Sequence, residues 1–348
     1  MPIVSVIIPT WNAARHLEAA VRSAMAQTLA AIEIIIVDDG STDATVALAD
    51  RLASIDARIR VERSRRNLGP AGARNRALAL ASGIWVAVLD SDDMMVPRRL
   101  EGLVAVGEAQ GADIVADDLI VFEDGAPEAA TLFLGGKFRP DWITLLDYLA
   151  ATVMYGGGPN FGYLKPIVRL AALRAGGIYY DARLRIAEDD DFIVRALLAG
   201  LRYWLQPDPG YGYRRHAASI SHRLSGGHAL AMLASSGELL AAEAGQPPEV
   251  VRALAVRHAA MRKAWAFAGF IEALKLRDAA RATALVLADP ALLSLLHMPV
   301  GAALGRLRPG WLPRRPVRAV PAAVAALATI MPGAPGSPSP RTRPEVER

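Results

Sequence analysis

The chain has 348 residues, enough for one large domain, or a main domain with an appendage, around a substantial core. It holds no cysteine, which excludes disulfides, thiolate metal sites and a cysteine nucleophile, and which fits a reducing cytosol. The net charge of +4 is unevenly placed: residues 301–348 carry eight arginines against two glutamates, the remainder is slightly acidic, and no aromatic-studded basic groove supports nucleic-acid binding.

The chain enters a strand pattern at once over Pro2–Pro9, without the basic stretch or cleavage site of a secretory signal. Val4–Ile8 reads as a strand closed by Pro9, and Ala13–Ala30 has helical spacing through Leu17, Val21 and Met25. Between them, Pro9-Thr10-Trp11-Asn12 is a loop at the strand's carboxyl end, where Trp11 could stack on a base or simply pack. Ile32–Val37 is the next apolar strand and stops at Asp38-Asp39-Gly40-Ser41-Thr42-Asp43. Ser41 or Asp43 suits the cap of a helix over 44–55, which leaves Asp38 and Asp39 to accept from a base imide or a ribose hydroxyl. Ile59–Glu62 is a weaker third strand. From Arg65 to Arg76 a glycine-bearing loop runs into an alanine-rich helix; such a terminus attracts anions, although a solvated basic face accounts equally well for Arg65, Arg66 and Arg76.

Ile84–Asp93 organises the rest. An apolar run of strand length ends in Asp90, Asp92 and Asp93, as a doubly buried strand would on reaching the crevice where open α/β sheets bind ligands. These carboxylates are hard ligands for Mg²⁺ or Mn²⁺, or they cap the following helix; both hold if Asp93 caps while Asp90 and Asp92 face the ligand. Pro97–Gln110 reads as a helix and Asp113–Ala116 as a strand, making five β/α alternations by residue 120 and so a mostly parallel sheet with helices on both faces. Asp117 and Asp118 read as a surface turn.

Residues 121–162 are glycine-broken and suit a loop region that covers a ligand, before a strand within Phe161–Val168 and a helix over Leu170–Ala175. Glu188-Asp189-Asp190-Asp191 opens a helix, either as simple dipole compensation or with one carboxylate facing the crevice as a general base. Short strands at Leu201–Leu205 and Tyr211–Tyr213 lead to Arg214, Arg215 and His216, which could bind a diphosphate or complete a metal shell; for His216 an ordinary surface histidine is the alternative. Residues 225–290 predict two or three packed helices. The tail, 301–348, with nine of the 23 prolines, suits either an interfacial membrane patch or a flexible basic linker, disordered from 333 onward.

Taken together, Val6–Asn12, Val37–Asp43, Gly69–Asn75, Leu89–Asp93, Glu188-Asp189 and Tyr213–His216 resemble the family 2 glycosyltransferases of the GT-A fold, over residues 3–222. More narrowly, Gly111–Asp118, Gly162–Pro166 and Ser219–Leu224 are similar to glucosyltransferases of succinoglycan assembly. The resemblance implies a GT-A catalytic domain at 1–224, with a nucleotide-sugar half to about 120 and an acceptor half beyond it, a helical extension at 225–300 and the tail. It implies an inverting hexosyltransferase that takes glucose from UDP-glucose to a growing lipid-diphosphate-linked oligosaccharide, at the cytoplasmic face of the inner membrane. Pro9, Trp11, Asn12 and Asp39 would hold uracil and ribose, with Arg74, Asp90 and Ser91 in the same nucleotide-sugar set. Asp92 and His216 would ligate Mg²⁺ or Mn²⁺, Arg214 and Arg215 would lie near the diphosphate, and Asp189 would be the catalytic base. Trp11 stands where many relatives have tyrosine, which keeps a stacking face and loses the phenol, and Asp190 and Asp191 are neighbours that could be mistaken for the base. A nucleotidyltransferase acting on a sugar phosphate, a same-family enzyme with another donor, and a non-catalytic sugar-nucleotide scaffold are the alternatives.

Overall fold

Strands that are apolar on both faces need helices above and below them, and the connections here supply those helices. The computed structural model describes residues 1–135, 139–156, 158–216, 224–242 and 245–297. The strands β1 (Val4–Thr10), β2 (Ile32–Asp38), β3 (Ile59–Arg63) and β4 (Trp85–Val88) lie parallel in the order β3-β2-β1-β4. Helices α1 (Leu17–Met25), α2 (Thr45–Ile55) and α3 (Gly69–Leu80) connect them. β1, β2 and β4 are almost wholly buried.

Past β4 come β5 (Met94–Met95), α4 (Arg99–Gln110), β6 (Ile114–Ala116), β7 (Leu119–Glu123), β8 (Ala126–Leu132), β9 (Asp141–Ile143), α5 (Leu145–Ala151) and β10 (Ile167–Arg169). Then follow α6 (Leu170–Ala175), α7 (Glu188–Leu198), β11 (Tyr203–Leu205) and β12 (Tyr211–Arg215). The main sheet has the order β3-β2-β1-β4-β10-β6-β11-β9, in which only β10 and β9 run against the other strands. The expected mostly parallel α/β architecture is therefore present, interrupted where β10 is inserted between β4 and β6. A second sheet, β5-β12-β7-β8, was not foreseen from the sequence. By pairing β12 with β5 it brings Arg214 and His216 beside the acids that follow β4.

Three helices, α8 (Gly226–Ala241), α9 (Pro248–Lys275) and α10 (Ala279–Ala288), form the extension, followed by a 3₁₀ turn over Pro290–Leu296. Leu239, Val250 and Leu254 of α8 and α9 join the same apolar core as the main sheet. Among the described residues no single helix is long and apolar enough to cross a membrane. The expectations for the tail, for most of the segment Ser219–Leu224 and for residues 298–300 fall outside the described residues.

Several local expectations are corrected. α1 begins at Leu17 rather than Ala13, because Asn12 adopts a left-handed φ of 48° and the Ala13 and Ala14 amides are taken by Thr45 and Asp43. β4 begins at Trp85, since Ile84 is 42% exposed. Asp93 does not cap α4: it is buried, accepting from the Tyr211 hydroxyl at 2.9 Å and the Arg214 amide at 2.8 Å. Nor do Asp117 and Asp118 make a surface turn. Both are buried, Asp117 in a two-pronged pair with Arg99 at 2.7 and 2.8 Å, and Asp118 accepting from the Leu119 and Leu134 amides.

Candidate active site

The loops that leave β1, β2 and β4 meet at the carboxyl edge of the sheet. Trp11 is half-exposed there, directly after Pro9 and Thr10. Asn12 ties the first loop to the second: its side-chain carbonyl accepts from the Thr42 amide at 2.8 Å and its own amide donates to the Ser41 hydroxyl at 2.9 Å. Asp38 accepts from the Gly40 and Ser41 amides and so closes the second loop on itself. Asp39 is buried, and its carboxylate accepts from the Leu68 and Gly69 amides at 2.7 to 3.0 Å, which fastens β2 to the start of α3. Burial pushes this carboxyl up, against the opposing pull of those two amides. Gly69 is required at the junction: its φ is +83°, and a side chain there would collide with Arg185.

A charge network lies deeper. Arg74 of α3, 3% exposed, reaches Asp90 at 2.6 Å and Asp189 at 3.2 Å and also pairs with Glu188. Lys165, just before β10, bridges Asp90 at 2.8 Å and Asp189 at 2.5 Å. Burial alone would raise Asp90, but Lys165 and Arg74 outweigh it and hold this carboxyl well below the usual range. The reverse holds for Lys165: burial would lower it, and Asp189 and Asp90 keep it far above an ordinary lysine. Glu188 is raised, chiefly by burial, with Arg74 opposing. Five residues from α3, the β4 terminus, the β10 approach and α7 are thus locked as three carboxylates around two cations.

The four successive acids of α7 separate by direction. Glu188 and Asp189 face this network, Asp190 pairs with Arg257 at 2.7 Å, and Asp191 takes Arg195 at 2.7 Å together with the Ser235 hydroxyl. Of the three aspartates only Asp189 stands among the residues of the crevice.

On the second sheet, His216 Nε2 lies 2.9 Å from Asp92 Oδ2, and that carboxylate holds the imidazole above its ordinary value. Arg214 is buried; its Nε donates to the Asp92 carbonyl at 2.7 Å and its Nη1 to Asp124 at 2.9 Å. Arg215, next along the strand, is exposed at the side chain and lies 3.4 Å from Glu123. Ser91 is half-buried between the two key acids. The Asp92–His216 pair presents one oxygen and one nitrogen donor, and among the described residues no cluster of three or more protein ligands exists. That donor set fits Mg²⁺ or Mn²⁺, cations that keep several positions for phosphate oxygens and water.

Sequence reasoning singled out Asp39, Asp90, Asp92, Glu188 and Asp189, with Arg74, but not Lys165, Tyr211, Asp124 or Arg257. Lys165 stood in Gly162–Pro166, a stretch marked only for likeness. A lone cation carries no periodic signal, and its partners lie 75 and 24 positions away.

The model of glycosyl transferase family 2 matches residues 5–169. The chain is 36% identical over 312 residues to the succinoglycan biosynthesis protein ExoO of Rhizobium meliloti (strain 1021), covering 88% of this chain and 87% of that protein. It is 37% identical over 226 residues to ExoU of the same organism, with 63% and 65% covered. Among solved structures, S. aureus TarS 1–349 in complex with UDP-GlcNAc is similar with a TM-score of 0.62 at 23% identity, over 78% of this chain and 80% of that one. Mannosyltransferase PcManGT from Pyrobaculum calidifontis, in complex with GDP-Man and Mn²⁺, gives 0.53 at 20% identity over 94% and 86%. At such identities these two structures establish the fold, GT-A, and nothing finer.

Proposed function

The chain belongs to glycosyl transferase family 2, and from that premise we propose that it moves a hexose, glucose, from a UDP-sugar to a growing lipid-linked oligosaccharide in exopolysaccharide assembly, with inversion at the anomeric carbon. The observation that carries this reading is the position of Asp189: a carboxylate at the head of α7, held beside Asp90 through Lys165 and Arg74, in the same crevice as the Asp92–His216 pair. The likeness to ExoO, a succinoglycan biosynthesis protein, supports the exopolysaccharide setting, and UDP-GlcNAc in TarS supports a uridine nucleotide as donor.

In this reading Trp11 stacks on uracil, Pro9 and Asn12 shape the loop around it, and Asp39, Asp90 and Ser91 meet uracil and ribose. Arg74 orients Asp90, while Arg214 and Arg215 contribute positive charge on the diphosphate side. Asp92 and His216 would hold Mg²⁺ or Mn²⁺, which would supply positive charge on the diphosphate side. Asp189 takes the proton of the acceptor hydroxyl as that oxygen bonds to C1 and the bond from C1 to the diphosphate oxygen breaks, releasing UDP. One base on one face suffices, and no covalent sugar–enzyme intermediate forms. The nucleotide-sugar half runs to about residue 120 and the acceptor half to 224; the enzyme works at the cytoplasmic face of the inner membrane, with 301–348 as a peripheral contact.

The test is purified protein against a panel of UDP- and GDP-sugars with Mn²⁺, Mg²⁺ or chelator, reading nucleoside diphosphate release. Metal-dependent release confined to UDP-sugars, fastest with UDP-glucose, is expected. Pyrophosphate release from a nucleoside triphosphate and a sugar phosphate, with no response to sugar nucleotides, would replace this reading by a nucleotidyltransferase.

A further inference from the structure

We propose that Arg257, on α9 of the helical extension, is a positioning residue for the base: by clamping Asp190 it fixes the first turn of α7 and so the aim of Asp189. The inference rests on Asp189 being the base.

Consecutive helical residues point about 100° apart, so holding one side chain of a turn sets the direction of the next. Asp190 is 7% exposed and Arg257 4%, and they meet at 2.7 Å. First-turn acids that serve only the helix dipole need no such burial. The start of α7 also has no side-chain cap: Ala187 sits at the N-cap with a left-handed φ of 62°, an unfavourable conformation for a residue with a β-carbon. From outside the helix that turn is held by Arg257 on Asp190 and by Ser235 on Asp191, while Arg195 of α7 itself also closes on Asp191.

The pair is poorly designed for stability. Among the described residues, Nε and Nη1 of Arg257 and Oδ1 of Asp190 make no hydrogen bond, and a buried ion pair with such gaps is often matched by apolar residues of similar volume. Its value is therefore directional. Asp190 also lies against the turn leading to Lys165: a β-carbon on Gly162 would stand 3.0 Å from the Asp190 β-carbon. A shift of Asp190 thus moves both Asp189 and the cation that pairs with it.

The experiment uses the full chain with UDP-glucose, UDP-GlcNAc and GDP-mannose, following the donor that the unaltered protein hydrolyses fastest. Arg257→Met combined with Asp190→Leu removes both charges and keeps the bulk. We expect its unfolding midpoint to stay near the original and its affinity for UDP to hold within about twofold, while turnover falls at least ~10-fold, since a misplacement of about 1 Å can cost ~10²-fold. Arg257→Lys, which keeps the charge, should recover most of the rate. Turnover within about twofold of the original in the double variant overturns the proposal, and so does a loss of UDP affinity matching the loss of turnover, because ~10-fold orientation effects act on the chemical step alone. If the double variant does not fold, Asp190→Glu decides: slower turnover with UDP binding kept supports the clamp, and unchanged turnover removes it. Asp189→Asn is the control. If that variant stays active the base assignment itself is wrong, whereas a silent Asp189→Asn beside a fully active double variant removes only the clamp.

Discussion

Lys165 and Arg74 decide what Asp189 can do at the residue scale. With Lys165 Nζ at 2.5 Å and Arg74 at 3.2 Å, the carboxylate has counter-charge before any donor arrives, and Asp90 shares both cations. Asp189→Asn keeps the shape and the hydrogen-bonding oxygen but cannot take a proton. Since a positioned general base contributes ~10²- to 10⁴-fold, turnover should fall by that factor with UDP affinity retained, as read by rapid UDP release and by calorimetry on the same preparation. Near-normal turnover would move the base elsewhere. The acids of this site were legible because each closes an apolar strand or opens a helix, and clustered carboxylates there stand out. Lys165 was not, and Arg74 was read only as part of the nucleotide-sugar set, because its partnership with Glu188 spans 114 positions and no local pattern encodes it.

Among the elements, the junction of β6 and β7 carries a pH dependence. Asp118 sits there fully buried, accepting from the Leu119 amide at 2.7 Å and the Leu134 amide at 2.8 Å, with its other oxygen unpartnered among the described residues. Burial pushes this carboxyl up to about 6. A raised carboxyl binds its proton more tightly in the folded chain than in the unfolded one, so its stabilising contribution is full below the ordinary value of 3.8 and is lost as pH rises to about 6. Relative to the unaltered protein, Asp118→Asn should therefore gain stability between pH 4 and pH 7, read from paired urea-unfolding midpoints. A constant difference across that range would remove the assignment. The early β/α alternation could be read from unbroken apolar runs, which need cover on two faces. The second sheet could not: β8 is Ala-Pro-Glu-Ala-Ala-Thr-Leu, with little β character, and the insertion of β10 between β4 and β6 is a long-range pairing. The same sheet explains why Asp117 and Asp118 are buried despite reading as a turn: they are where the chain leaves one sheet for the other.

Taken as a whole, the molecule pairs a slightly acidic body with a basic segment at 301–348, whose eight arginines face only two glutamates and are interspersed with Trp311 and apolar stretches. An acceptor carried on a lipid would bring the enzyme to an anionic surface, where each basic residue contributes about 1 kcal/mol within a Debye length of roughly 10 Å at 0.1 M salt. We expect the full chain to sediment with phosphatidylglycerol-containing vesicles at low salt and to be released as salt is raised, and we expect neutral vesicles to leave it in solution. Removing residues 301–348 should abolish sedimentation while leaving UDP-sugar hydrolysis intact, since the residues proposed for the chemistry lie between Pro9 and Arg257. Unchanged sedimentation of the shortened chain would shift the membrane contact to the extension, where Trp265, Leu276 and Leu287 are 43%, 69% and 77% exposed beside Lys275, Arg277 and Arg281. Charge-reversal at those three cations would then weaken vesicle binding, and a salt-insensitive interaction would point to the apolar side chains instead.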